Sequence, residues 1–425
     1  MKSLCLLAWC AGLACMLAGS AGAQLLPAPP TVPDPGGLIG EVGEIGRAGT
    51  ERLGEIGGQA VRTSARRLDA VRVDRLRNLV RRNPEILEMT DLGPAIRGEV
   101  IAIDPDPAAL AAAEAAGFTR AGAERIEGLD INEVTLRVPR GWSVDRALSR
   151  LRRIAPSGAF AANHLHSPSG SAVATSHATA TAAQGVPGGA SIGMIDGGVA
   201  VHPALRGPLD QRGFVRGAPA PSAHGTAVAS LIAGEGSVRG AAPGAALRVA
   251  DIFGRDPAGG NALALVRALG WMAQQRVPVV AISLVGPANP LVARAIGQAR
   301  ARGMFIVAAV GNDGPAAPPA YPASYPGVIA VTGVDGRGQV LIEAGRALHL
   351  DYAAPGADMA AARADGRLGP VRGTSFAVPF VAGRLAQHVG VTQPLAALDA
   401  EARRGGRGTG RGIVCGACRT PYRRD

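Results

Sequence analysis

Ser375 stands in Gly373-Thr374-Ser375-Phe376-Ala377-Val378-Pro379, and the chain continues through Phe380-Val381-Ala382-Gly383. A Gly-Thr pair followed by small and apolar residues describes a loop turning into a buried helix. The hydroxyl then sits at a helix N-terminus, where free N–H groups and the positive dipole end favour developing negative charge. A serine alone is a weak nucleophile. Acyl-transfer chemistry at this position needs a histidine base, a carboxylate to orient that base, and a donor to an oxyanion.

The chain offers a candidate for each. Asp196 ends the apolar run Ser191-Ile192-Gly193-Met194-Ile195 and is followed by Gly197-Gly198, so its carboxylate lies beside a tight turn. His224 opens a helix in Ser222-Ala223-His224-Gly225-Thr226-Ala227, with a glycine that lets other groups approach. Asn312 follows an apolar run within Val310-Gly311-Asn312-Asp313-Gly314. In these roles Ser375 attacks a carbonyl and His224 carries the proton. Asp196 holds the imidazole tautomer, and Asn312 with the Ser375 N–H binds the oxyanion. Taken singly, Asp196 and Asn312 are turn residues, His224 is a helix cap and Ser375 is a helix N-terminal serine. Together they fall where strands end.

The elements that must position them follow from the pattern of apolar runs. Segments 191–196, 247–253, 278–284, 304–310 and 328–334 are short apolar runs of the kind buried in parallel sheets. Helical stretches 223–233, 261–275 and 290–301 alternate with them. The expected fold is α/β, a doubly wound, mostly parallel sheet over 188–392, with sites outside the carboxyl ends of the strands. Before it, a strand at 99–103, a helix at 107–117, strands near 120–126 and 131–138, a helix at 143–154 and a strand at 159–165 have the β-α-β-β-α-β order of a small ferredoxin-like α+β unit over 98–166. Residues 167–187 are Ser/Ala/Thr/Gly-rich and are expected to be a flexible linker. In 41–82, Leu68, Val71, Leu76, Leu79 and Val80 recur at helical spacing, so 24–97 is assigned a Pro-rich linker and an amphipathic, solvated helix. His164 and His166 lie at i and i+2 with no third ligand near, as at an exposed strand end rather than a metal site.

Composition narrows the classes. With 47% hydrophobic and 18% charged residues, the chain holds ample material for a large core. The net charge of +11 comes from arginines scattered along the chain, with aromatics at only 3%, which speaks against a nucleic-acid-binding face. Met1–Ala23 has Lys2, an apolar run and Ala21-Gly22-Ala23, the layout of a cleavable export signal; no later segment has the length of a membrane anchor. Export to the outside or the periplasm is therefore expected. Cys415 and Cys418 form a C-x-x-C for which a local disulfide is favoured over zinc. The surrounding 393–425 is Gly/Arg-rich and is expected to be flexible and solvated.

Met194-Ile195-Asp196-Gly197-Gly198, His224-Gly225-Thr226-Ala227-Val228-Ala229 and Gly373–Pro379 resemble the Asp, His and Ser motifs of the subtilisin-like serine proteases, and their order along the chain is the subtilisin order. Ala309-Val310-Gly311-Asn312 resembles the oxyanion-hole segment. Ser283-Leu284-Val285-Gly286-Pro287 resembles the strand that lines the substrate, and Tyr325–Val331 also fits; the likeness spans about 188–392. It implies a serine endopeptidase acting on polypeptide substrates, and a ferredoxin-like propeptide that chaperones folding and inhibits in cis. The propeptide's last strand near 162–166 would lie in the cleft, and self-cleavage would fall within 163–185. Calcium often supports this family, but no acidic loop here is dense enough to assign a site. Two residues depart from the family pattern. Gly197 replaces a Ser or Thr and loses a hydrogen bond near Asp196. Val285 replaces a glycine of the primary pocket and would favour small P1 side chains. Two rivals remain at this stage: a non-catalytic module that keeps the fold, and an esterase, which would lack the Gly-x-Ser-x-Gly elbow.

Overall fold

The computed structural model describes residues 66–169, 171–172 and 191–422, all within one compact unit, Gln59–Asp425. The expected leader Met1–Ala23, the Pro-rich stretch at 24–37 and most of the expected linker lie outside the described residues.

Helix α1 covers 66–82. There follow β1 (Leu87–Met89), β2 (Pro94–Ile103), α2 (Pro107–Ala115), β3 (Thr119–Ile126), β4 (Ile131–Arg137), α3 (Val144–Ile154) and β5 (Ala159–His164). The strands form one antiparallel sheet in the order β1-β2-β4-β3, with β5 paired to β2. Helices α2 and α3 start on side-chain caps: Asp106 accepts from the Ala109 N–H and Ser143 from the Arg146 N–H. Helix α3 buries Val144, Ala147, Leu148 and Leu151 on one face. These pack with Val100, Leu136 and Phe160 into a core of their own. The ferredoxin-like order holds, but the unit begins earlier than 98. Residues 87–97 belong to its sheet, not to a linker.

Two short strands, β6 (Ser167–Pro168) and β7 (Ser171–Ala172), lead toward β8 (Ile192–Asp196). The large sheet is completed by β9 (Leu209–Gly213), β10 (Leu247–Asp251), β11 (Val279–Ile282), β13 (Phe305–Ala309), β14 (Ile329–Val334) and β15 (Tyr352–Pro355). Its order is β15-β14-β13-β11-β8-β10-β9, and every pairing is parallel. Helices α4 (Ala223–Ala233) and α7 (Val378–Gln387) cover one face. Helices α5 (Ala262–Gln274) and α6 (Pro290–Ala301) cover the other. The doubly wound arrangement is as expected. Helix α5 is buried nearly all round because it has a sheet on each side. Ile101, Ile126, Leu129 and Ile131 of the antiparallel unit join its cluster. Ion pairs such as Arg267–Glu124 rim that contact.

Strand β12 (Leu284–Val285) and the hairpin β16 (Met359–Ala362) and β17 (Leu368–Arg372) complete the strands, and α8 (Pro394–Glu401) closes the chain. The last segment is not the solvated tail its composition suggests. Leu398 and Val414 are fully buried in the core, the Tyr352 hydroxyl donates to Asp399 at 2.6 Å, and Cys415 is joined to Cys418. His164 and His166 are likewise buried, not exposed at a strand end.

Candidate active site

Strands β8 and β10 run in register, so Asp196 and Asp251 lie side by side at their carboxyl ends. Asp251 braces the approach to helix α4. Its carboxylate accepts from the N–H groups of Ala220, Phe253 and Gly254 at 2.7–2.9 Å, while burial pushes its carboxyl above the usual range. Nothing in its sequence context singled it out.

Helix α4 starts at the N-cap Ser222, whose hydroxyl accepts from the Gly225 N–H at 2.8 Å. That start sets His224 over Asp196. The imidazole Nδ1 is 2.9 Å from both carboxylate oxygens, and since a carboxylate only accepts, Nδ1 carries the proton. Asp196 Oδ1 also accepts from the Gly197 N–H at 2.7 Å. The two glycines flanking this pair have a steric reason. A Cβ on Gly225 would overlap the Gly197 carbonyl, and one on Gly197 would overlap the Ser222 hydroxyl. The helix cap fills the space that a Ser or Thr side chain at 197 would need.

Ser375 lies in a 3-10 turn (Thr374–Phe376) leading into α7, fully buried. Its hydroxyl is turned from the histidine. It donates to the Ser283 carbonyl at 3.0 Å and lies 2.6 Å from the Ser169 hydroxyl. His224 Nε2 is buried with no hydrogen-bond partner among the described residues. The Phe376 ring, 5.2 Å away, packs against the imidazole.

Asn312 is held by its own carbonyl, which accepts from the Thr374 N–H at 2.9 Å. The Thr374 hydroxyl in turn donates to the Gly311 carbonyl at 3.1 Å. This fixes the Asn312 NH2 to point outward, and it donates to the Ser169 carbonyl. The Ser375 N–H donates to that same oxygen at 3.0 Å. Two N–H donors therefore converge on one carbonyl beside a serine hydroxyl, the geometry of an oxyanion pocket holding a peptide group.

The expected substrate-lining residues carry the strand that delivers it. Leu284 and Val285 pair antiparallel with Pro168 and Ser167, and the Ser169 N–H donates to the Ser283 carbonyl at 3.2 Å. Gly286 leaves room for the His166 ring, which a Cβ there would overlap. Beyond Ser169, β7 pairs antiparallel with β17. The cleft strand is thus 166–169 rather than 162–166, since 159–164 is spent in the antiparallel sheet. Residues 167–169 are ordered by backbone pairing in the cleft, which is why composition suggested a linker.

Val285 faces Gly311 across the pocket. A Cβ on Gly311 would sit 3.5 and 3.9 Å from the two Val285 methyls, so the branched side chain narrows the pocket from the wall opposite Gly311. No group of three His, Cys, Asp or Glu side chains that would suit a metal occurs among the described residues. No described helix is long and apolar enough to cross a membrane.

Comparison with known proteins agrees with this architecture. The subtilase family model matches residues 188–397, extending past the expected end at 392 into α8. Subtilisin BL of Lederbergia lenta is 32% identical over 207 residues, 47% of this chain and 75% of the relative. The major intracellular serine protease of Bacillus subtilis (strain 168) is 31% identical over 171 residues, 38% of this chain and 54% of the relative. The chain thus spans from about half to three quarters of the length of these relatives. The crystal structure of fervidolysin from Fervidobacterium pennivorans shares the fold, with a TM-score of 0.61 at 19% identity over 79% of this chain and 62% of that one. By kinship and fold together the chain belongs to the subtilase family, as a subtilisin-like serine endopeptidase.

Proposed function

We propose that the chain is the zymogen of an exported endopeptidase that hydrolyses polypeptides through Asp196, His224 and Ser375, and that its first substrate is its own Ser169–Gly170 bond. The observation that carries this is the Ser169 carbonyl, which accepts from both Asn312 and the Ser375 N–H while residues 167–168 lie as a strand on β12. The antiparallel unit is then the propeptide, docked as an inhibitor until it is released.

The chemistry starts with a turn of the Ser375 side chain from the Ser283 carbonyl to His224 Nε2. Oγ attacks the Ser169 carbonyl carbon and Nε2 takes its proton. The oxyanion stays between Asn312 and the Ser375 N–H, and Asp196 stabilises the imidazolium through Nδ1. As the carbon–nitrogen bond to Gly170 breaks, the imidazolium protonates the leaving amine. Water, deprotonated by the same Nε2, then frees the acyl group. Export fits the Cys415–Cys418 disulfide and the leader-like start of the chain.

Expression of the full chain tests this. A fluorophosphonate should label the processed protein, casein should be cut in preference to a simple ester, and the large fragment should begin at Gly170. A Ser375→Ala chain that is still cut at that bond would sink self-processing. An unlabelled, inert wild-type protein would sink the enzyme.

Val285 sets the expected P1 preference. With the Val285 methyls on the wall facing Gly311, the pocket is narrowed against a flat ring, and the chain's own P1 residue is a serine. Val285→Gly is expected to raise kcat/KM for P1 Phe relative to P1 Ala by roughly 10- to 100-fold, the scale of a few methylenes in an apolar pocket. Peptides varied only at P1 measure it. A wild-type enzyme that already prefers P1 Phe would refute the idea.

A further inference from the structure

Helix α1 meets the catalytic unit beside the cleft strand, where Arg75 and Asp313 line a cavity together with Pro168 and Ser169. Its half-buried face runs Leu68, Arg72, Leu76 and Leu79. Val71, expected on the apolar face, is instead 64% exposed. Leu79 and Val80 pack on Leu87, Leu165 and Ala258. One turn earlier, Arg75 Nη2 donates to Asp313 Oδ1 at 2.9 Å, while Arg72 is held by Asp69 within the helix at 2.9 Å. Arg72, Arg75 and Leu76 roof a cavity walled by Val285, Gly311 and Asp313. Asp313 directly follows Asn312, and among the described residues Arg75 is its ion-pair partner.

We infer that the surface around Asp313, bordered by residues 285–287 and 317–321, is a docking site for an arginine-bearing amphipathic helix. Its occupant in the zymogen is α1, which acts as a second brake beside β6. The inference rests on the self-processing reading. A cut after Ser169 frees the end of β6 but leaves α1 joined to the antiparallel unit, so the roof beside the P1 wall outlasts the chemistry. Opposite charge supplies the register: Arg75 sits on the one turn of α1 that faces Asp313, and the apolar residues on the next turn grip Leu165 and Ala258.

Two clocks in the full chain test this, namely the appearance of the fragment beginning at Gly170 and the appearance of activity on a short chromogenic peptide, each scaled to its own endpoint. Arg75→Glu and Asp313→Arg are each expected to shorten the interval between them roughly threefold, the scale of one part-exposed ion pair. The double variant Arg75→Glu/Asp313→Arg is expected to restore it. Wild-type intervals in both single variants, or a double variant as fast as the singles, would overturn the docking role. If the unaltered chain shows no cut, the self-processing reading fails and takes this inference with it; a cut that never yields activity, in the single variants as in the unaltered chain, overturns the docking role alone.

Discussion

Asn312→Ala is expected to lower kcat on peptide substrates by about 10²- to 10³-fold while KM changes little. The reason lies in how the side chain is held. Its carbonyl is anchored by the Thr374 N–H at 2.9 Å, so the amide NH2 has one direction to point, toward the oxygen that gains charge in the transition state. Alanine leaves the Ser375 N–H as the remaining donor identified at that oxygen and leaves Asp196, His224 and the β12 strand untouched. A drop in kcat with constant KM is the signature of an interaction stronger in the transition state than in the ground state. Self-processing should slow by a comparable factor, so full-length chain should accumulate. If Asn312→Ala instead raised KM and spared kcat, Asn312 would be a ground-state clamp on the peptide. Thr374→Val, which removes the hydroxyl bond to the Gly311 carbonyl, should give a smaller drop of the same kind, because it loosens the loop that aims Asn312.

Much of this site was legible before any coordinates, for a physical reason. Asp196 and Asn312 sit where an apolar run meets a glycine turn, and His224 opens the helix that follows the cap Ser222. In a parallel sheet such meeting points all fall on one edge. The helix that carries His224 announces itself through its Ser222 cap, and the one that follows Ser375 through an unbroken apolar run. What escaped notice takes its order from elsewhere in the chain. Strand β9, Leu-Asp-Gln-Arg-Gly, buries only Leu209 and Gln211 and pairs on one side only; an edge strand needs no apolar run. Strand β15, Tyr-Ala-Ala-Pro, is four residues of low contrast between helix and strand. Residues 167–169 carry no folding signal of their own and are straightened by Leu284 and Val285. The C-terminal segment read as tail because its glycines and arginines outnumber its anchors, yet Leu398 and Val414 suffice to hold it on the core. His164 and His166 were misplaced for the same reason: their burial is conferred by the catalytic unit.

Those two histidines give the docked propeptide an expected pH response. Asn289 caps helix α6, its carbonyl accepting from the N–H groups of Leu291 and Val292. Its NH2 must therefore donate, and it does so to the Ala162 carbonyl at 2.8 Å and to His164 Nδ1 at 3.2 Å. That leaves the proton of neutral His164 on Nε2, facing the Thr90 hydroxyl at 3.1 Å. A second proton would set donor against donor at Asn289. His166 has neither ring nitrogen hydrogen-bonded. Burial pushes both rings down to about 4, against about 6.5 for a solvated histidine. Between those values a released propeptide binds protons that the docked one refuses, so docking weakens as pH falls, by about tenfold per pH unit for each histidine. Glu99 and Glu133, raised by burial beside α5, have the opposite sign. They favour docking as they take up protons above their ordinary range, and so partly mask the trend. The discriminating measurement is therefore a comparison of variants. In the cut but still associated complex, dissociation of the fragment ending at Ser169 should steepen with acid from pH 6.5 to 4.5, and His166→Leu, which places an apolar side chain against Gly286, should flatten that slope by about one decade per pH unit. An unchanged slope in His166→Leu, with docking intact at pH 7.5, would show that His166 does not couple protons to release.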